Sequence, residues 1–343
     1  MNILMATNAF TPHVGGVAKS VQGFTNEIRR AGHRVLVVAP TIEGAPEREV
    51  DVVRVPAVQN FNGSDFAVPV PITVKVAAAL KTFSPGIVHS HHPFLLGDTA
   101  LRVAAAREVP VVFTHHTMYE NYTHYVPGDS PRLKRFVRDL ATGYCNLCDA
   151  VVAPSETVAE MLVRRGVGVR IEVIPTGVDQ TVFEAVDGRE FRKMKGIPEE
   201  AFVVGHVGRL APEKNVGFLA GAIAAYLLQN ARARFLLVGE GPSKKEMLET
   251  FDAQGLYGRV HATGVLEGRA LAAAYKAMDV FAFASLTETQ GMVLAESMAA
   301  GVPVVAVDAP GVREIVRDGE NGRLLPRVDR EAFGEALRWI GEQ

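Results

Sequence analysis

Two rounds of alternating strand and helix, separated by a polar interruption, constrain this chain more than any single residue does. NILMA, RVLVVAP, DVVRVP, GIVHS, PVVFTHH, DAVVAPS and IEVIP are short runs rich in Val and Ile, bounded by Gly, Pro or polar residues, as buried strands are. Segments of helical period lie between them, for example 18–30, 95–107 and 157–165. Strand, helix, strand in repetition predicts a parallel sheet covered on both faces. Residues 175–200 break the rhythm with Pro, Gly and charge. It then resumes through FVVGHVG, ARFLLVGEG, RVHATG, VFAFAS, VPVVAV and GRLLP. The expected class is α/β, two doubly wound Rossmann-like domains facing a central cleft: residues 1–175, a linker over 176–200, and residues 201–343. At 343 residues the chain exceeds one ordinary hydrophobic core. Such sheets bind ligands beyond the carboxyl ends of their strands, which is where site residues are expected.

Composition removes several functional classes. A formal net charge of -2 gives no overall attraction to nucleic acid. The only cysteines, Cys145 and Cys148, rule out a disulfide framework and fit a reducing cytoplasm. Their C-x-x-C spacing lacks the second ligand pair a zinc site needs, so they read as two small apolar residues at a helix end. MNILMA has no basic leader region, and no apolar run approaches membrane-spanning length. Any membrane contact is therefore expected to be peripheral.

The stretch TETQGMVLAESMAAG, 287–301, sets Glu288 and Glu296 around a helix that reads as buried over 291–300. A carboxylate in that setting must be protonated, paired or hydrogen-bonded. The helix start, with the backbone N–H groups of Gly291, Met292 and Val293, is an anion site in the making. Two carboxylates beside it suit a ligand with a diphosphate and two sets of hydroxyls. The alternative is an N-terminal cap and a paired core acid. In GRLAPEKN, Arg209 and Lys214 sit at a strand tip and offer the fork and point charge that bind phosphate oxygens. The first strand–helix turn lacks a G-x-G-x-x-G fingerprint, but Gly15 and Gly16 open the helix that follows. Eight of the ten histidines fall in residues 1–178, and His89, His91, His92, His115 and His116 cluster at two strand ends. No H-E-x-x-H pattern accompanies them, so no metal is expected. The segment PRLKRFVRDL, 131–140, would as a helix carry Arg132, Arg135 and Arg138 on one face, with Lys134 beside them. Leu133, Phe136, Val137 and Leu140 would share the other. Such a helix suits an anionic membrane surface, or is an ordinary domain helix with a solvated basic face.

Taken together, TETQGMVLAESMAAGVPVVA, GRLAPEKN, the GGV at 15–17, PTGVD at 175–179 and TGVLEG at 263–268 resemble the large group 1 family of retaining glycosyltransferases with the GT-B fold. The family's two glutamates with seven residues between them are here Glu288 and Glu296. THHTMYENYTHYVP, 114–127, is similar to the bacterial members that glycosylate diacylglycerol or another lipid. The chain departs in Gln290, where many relatives carry Phe. It ends at EALRWIGEQ, so the family's crossover helix back onto the first domain is expected to be missing.

The resemblance implies a metal-independent hexosyltransferase using a nucleotide-sugar donor of the UDP-glucose type, with no cofactor. By resemblance Glu288 holds sugar hydroxyls and Glu296 the ribose. Arg209 and Lys214 neutralise the diphosphate, and Gly15, Gly16, Val265, Gly291, Met292 and Val293 line the donor. His116 lies beside the reacting sugar carbon. Retention without an evident nucleophile implies same-face attack, with the departing phosphate taking the acceptor's proton. The acceptor side is expected to use Tyr119, Tyr122, Arg132, Lys134, Arg135 and Arg138, at a lipid or small-molecule acceptor and the inner face of the plasma membrane. A soluble sugar-phosphate or metabolite acceptor is one alternative reading. A nucleotide-sugar-binding protein without transferase activity is another.

Overall fold

Thirteen of the apolar runs become strands of two parallel sheets. The computed structural model describes residues 1–47, 49–61, 67–70 and 74–342. They form two compact units, Met1–Gly177 and Val178–Gln343.

The first unit runs β1 (Asn2–Ala6), α1 (Gly16–Arg30), β2 (Arg34–Pro40), β3 (Val52–Val55), a small antiparallel pair β4 (Ala57–Val58) and β5 (Val68–Pro69), then α2 (Val74–Ala79), β6 (Ile87–Ser90) and α3 (Leu96–Arg107). It continues through β7 (Val111–Thr114), α4 (Pro131–Asn146), β8 (Ala150–Ala153), α5 (Glu156–Arg164) and β9 (Arg170–Val173). Its seven-stranded sheet has the order β3-β2-β1-β6-β7-β8-β9. Both faces are covered: Leu4, Val88, Phe113 and Val151 pack on one side, Met5, Val21, Val35 and Val37 on the other. Burial on both faces explains why these strands read as continuous apolar runs rather than alternating ones.

The second unit runs α6 (Thr181–Glu184), α7 (Gly188–Met194), β10 (Phe202–Val207), α8 (Val216–Gln229), β11 (Ala233–Val238), α9 (Lys244–Asp252), β12 (Val260–Gly264) and α10 (Gly268–Lys276). Then come β13 (Val280–Phe283), α11 (Met292–Ala299), β14 (Val304–Val307), β15 (Gly322–Leu325) and α12 (Arg330–Gly341). Its sheet order is β12-β11-β10-β13-β14-β15. The polar stretch 176–200, which reads as a linker, folds from Val178 onward into this unit. Phe183, Phe191 and Ile197 are buried in its core, and Val178 and Val182 pack against them. These few apolar residues are spaced widely enough to disappear in a composition window, yet they anchor the two short helices.

Candidate active site

The second sheet reverses direction of growth between β10 and β13, and the loops after those strands carry the predicted charges. Neighbouring loops diverge at such a switch point and leave room for a ligand. After β10, the chain passes Arg209 and a short 3-10 turn, Pro212–Lys214, before α8. Arg209 Nη1 donates to Glu213 Oε1 at 3.1 Å, and Lys214 Nζ to Glu288 Oε1 at 2.6 Å. The two loops are further joined by Thr287 Oγ1 donating to the Glu213 carbonyl at 3.1 Å. Asn215 Nδ2 donates to the Ala284 carbonyl at 3.2 Å. Burial pushes the Glu288 carboxyl up, but the Lys214 ammonium, the Ser285 hydroxyl and His206 together hold it below the ordinary carboxylate range. Both predicted phosphate-binding cations are thus held against carboxylates.

Gly291 precedes α11 with φ of 71°, a left-handed conformation that favours glycine. It turns the chain so that the first-turn N–H groups of Met292 and Val293 lack intrahelical acceptors. One turn on, Glu296 is buried at 8% exposure, and it accepts a hydrogen bond from Tyr275 Oη at 2.8 Å. Val265 lies beyond the carboxyl end of another strand of the same sheet. It follows β12, the edge strand on the far side of β11, and is half exposed at 47%.

In the first unit the order reverses between β1 and β6, and the histidines gather there. His91 and His92 follow β6, and His115 and His116 follow β7. His91 Nδ1 and His116 Nε2 share a hydrogen bond of 2.9 Å, and their rings stack at 5.2 Å. His89 Nε2 and Thr114 Oγ1 lie 2.7 Å apart. The Asn8 backbone N–H donates to His92 Nδ1 at 3.0 Å, which places the His92 proton on Nε2. Burial lowers every one of these imidazoles: His89 and His115 to about 4, His92 to about 3, and His91 and His116 well below the usual 6.5. The cluster is therefore neutral at pH 7, able to donate and accept hydrogen bonds but not to neutralise a phosphate. Among the described residues, no three of His, Cys, Asp and Glu form a metal-binding group. Gly15 and Gly16 sit at the start of α1. Gly15 is extended, and a Cβ there would press on the His13 ring, 3.2 Å from Nε2, whereas one on Gly16 would meet nothing within 4 Å.

Residues 14–182 match Glycosyltransferase Family 4, and residues 201–343 match Glycosyl transferases group 1. The alpha-monoglucosyldiacylglycerol synthase of Streptococcus pneumoniae is 30% identical over 94% of this chain and 75% of its own length. The GDP-mannose-dependent alpha-mannosyltransferase of Mycolicibacterium smegmatis is 35% identical over 98% of this chain and 87% of its own. The chain belongs to the group 1 glycosyltransferases.

Solved structures agree on the GT-B fold of this glycosyltransferase. Sucrose-phosphate synthase from Thermosynechococcus elongatus matches at a TM-score of 0.82 and 22% identity, over 100% of this chain and 90% of that one. Anabaena Alr3699/HepE in complex with UDP-glucose matches at 0.78 and 22%, with the same coverage.

The acceptor-side expectations need correction in detail. The helix expected over 131–140 is α4, which continues to Asn146, and its buried residues are Ala141, Tyr144 and Cys145. That extension turns the helix: Leu133 and Val137 lie half-buried on the inner side, whereas Phe136 at 61% and Leu140 at 46% face outward. Arg132 shares their stripe and Arg135 flanks it, so basic and apolar side chains share one exposed surface instead of dividing two. Leu147, just past the helix, extends it at 69% exposure. Arg138 pairs with Asp139 at 2.8 Å, and Lys134 with Asp129 at 3.8 Å. Tyr119 turns inward, edge-on to Phe94 and His115, with its hydroxyl enclosed. Tyr122 stacks with His124 and Tyr125 in the same segment. Cys145 and Cys148 are free and buried, and burial pushes both thiols up to about 12, as inert core residues require.

Three residues at the glycosyltransferase sites were not singled out from sequence. Glu213 holds Arg209, and its signal was the four-residue spacing. Tyr275 holds Glu296 from 21 residues away, with no local signal. His206 is a polar residue inside the buried strand β10. Its Nδ1 carries the proton, because it meets the Ala282 carbonyl at 2.9 Å. Burial lowers it to about 4.

Proposed function

We propose that this glycosyltransferase moves a sugar, with retention, from a UDP-glucose-like donor to a lipid acceptor such as diacylglycerol, while attached peripherally to the cytoplasmic face of an anionic membrane. The observation that carries the lipid acceptor is the outward stripe of α4 and its flank, where Phe136, Leu140 and Leu147 stand beside Arg132 and Arg135. Apolar side chains dip into an interface while basic ones meet anionic headgroups. No helix among the described residues is long and apolar enough to cross a membrane. The relatives from Streptococcus pneumoniae and Acholeplasma laidlawii, both named alpha-monoglucosyldiacylglycerol synthases, support the same reading. The alpha linkage in that name is the one that retention from an α-linked sugar nucleotide would give.

In this reading Arg209 and Lys214 leave their carboxylate partners for the donor diphosphate and supply the charge that a metal supplies elsewhere. Glu288, released from Lys214, accepts from sugar hydroxyls, and Glu296 from the ribose. The N–H groups of Met292 and Val293, with the backbone of Gly15 and Gly16, meet the phosphates. His116, kept neutral by burial, hydrogen-bonds beside the sugar carbon. The bond from that carbon to phosphate breaks as the acceptor oxygen bonds to the same face, and the phosphate takes the acceptor's proton.

A second donor reading rests on the 35% identity to the GDP-mannose-dependent enzyme of Mycolicibacterium smegmatis. A thermal-shift and transfer panel decides between them. UDP-glucose should raise the melting temperature and label diacylglycerol in mixed micelles; a response to GDP-mannose alone, or transfer only to soluble acceptors, would overturn the first reading. EDTA should leave turnover intact. Glu296→Gln should weaken binding of the effective donor by roughly 1–3 kcal/mol.

A further inference from the structure

The carboxylate assigned to the ribose does not stand alone. Glu296 is buried on α11, and Tyr275, fully buried on α10, donates to its Oε2 at 2.8 Å. The phenol is itself held in place. The Phe183 ring from α6 meets it at 6.2 Å and 61°, and the Phe281 ring from β13 at 5.7 Å and 46°. Burial and the neighbouring Glu296 carboxylate keep the phenol protonated far above its usual range, so Tyr275 is the donor and Glu296 the acceptor.

A glutamate on a helix has three side-chain torsions. A fixed donor on one oxygen selects among its rotamers and keeps its charge satisfied away from water. We propose that Tyr275 is a positioning residue for nucleotide recognition: its phenol fixes the rotamer in which Glu296 meets the 2′,3′-diol of the donor ribose. The inference rests on the proposed ribose role of Glu296 and assigns the discrimination of ribose from deoxyribose to the pair rather than to the glutamate alone.

The test compares a nucleoside diphosphate, UDP or GDP according to the donor panel, with its 2′,3′-dideoxy counterpart. Dissociation constants are measured by calorimetry for the wild type, Tyr275→Phe and Glu296→Gln. Tyr275→Phe keeps the ring and its packing against Phe183 and Phe281 and removes only the hydroxyl. We expect it to weaken the ribonucleotide roughly tenfold while leaving the dideoxy compound's affinity within about twofold, so that the preference for ribose collapses. A merely structural role would weaken both compounds alike. That result, or an unchanged preference in Tyr275→Phe alongside a collapsed one in Glu296→Gln, overturns the role of Tyr275 and leaves the ribose reading standing. An unchanged preference in Glu296→Gln instead overturns the ribose reading and this inference with it.

Discussion

The two units share an architecture but not a chemistry. At the switch point of the first sheet stand five neutral histidines, three buried and two half-buried. At that of the second stand Arg209, Lys214, Glu213, Glu288 and Glu296, of which the first four are tied in two ion pairs. The same strand–loop–helix framework therefore presents hydrogen-bonding groups without charge in one unit and compensated charges in the other. On the proposed function this divides the labour: the cations serve the diphosphate, whose charge grows as it leaves, while neutral imidazoles serve a sugar.

Acid should expose that contrast most strongly. The unfolded chain protonates each imidazole as pH falls through about 6.5, whereas in the folded state His89 and His115 resist until about 4, His92 until about 3, and His91 and His116 until well below 6.5. Between those limits the unfolded state binds more protons, so stability falls as pH falls. Each such group contributes about 1.4 kcal/mol per pH unit. The second unit holds one comparable histidine, His206, and a less buried one, His261. Hydrogen exchange at pH 5 should therefore open the first unit's strands before the second's. Equal opening of both would break the comparison.

Charge removal acts on the other unit. Lys214→Ala should lower turnover by roughly 10²–10³-fold, more than any rise in the Michaelis constant explains, because the leaving diphosphate gains charge in the transition state. A variant with normal turnover would place the catalytic charge elsewhere. The same variant should bind liposomes as the wild type does, since α4 belongs to the first unit.

The smallest effects concern that helix. Arg132 and Arg135 contribute about 1 kcal/mol each near an anionic leaflet, an attraction that salt weakens. Changing Arg132, Lys134, Arg135 and Arg138 to Ser should cut sedimentation with anionic liposomes at low salt to the level the wild type keeps at high salt, while leaving donor binding intact. Phe136→Ser with Leu140→Ser should remove only the part of the binding that survives high salt. Indifference of the wild type to anionic liposomes would favour a soluble acceptor.

The thirteen strands of the two parallel sheets, and the charged residues of the second site apart from Glu213, were legible in the sequence. A strand buried on both faces must be a short apolar run, and a ligand loop at its tip must be polar, so both leave local marks. Strand order left none, because the partner of a strand lies across a crossover. The outward face of α4 was misread for a related reason: ten residues offered one broad apolar face, and only the burial of Ala141, Tyr144 and Cys145 beyond them decided which part of it turns inward. The sequence by itself determined that Glu296, a carboxylate in an apolar helix, needed a partner. Only the tertiary structure decided that the partner is Tyr275, since hydrogen bonds between separate helices depend on how the helices pack and not on spacing along the chain.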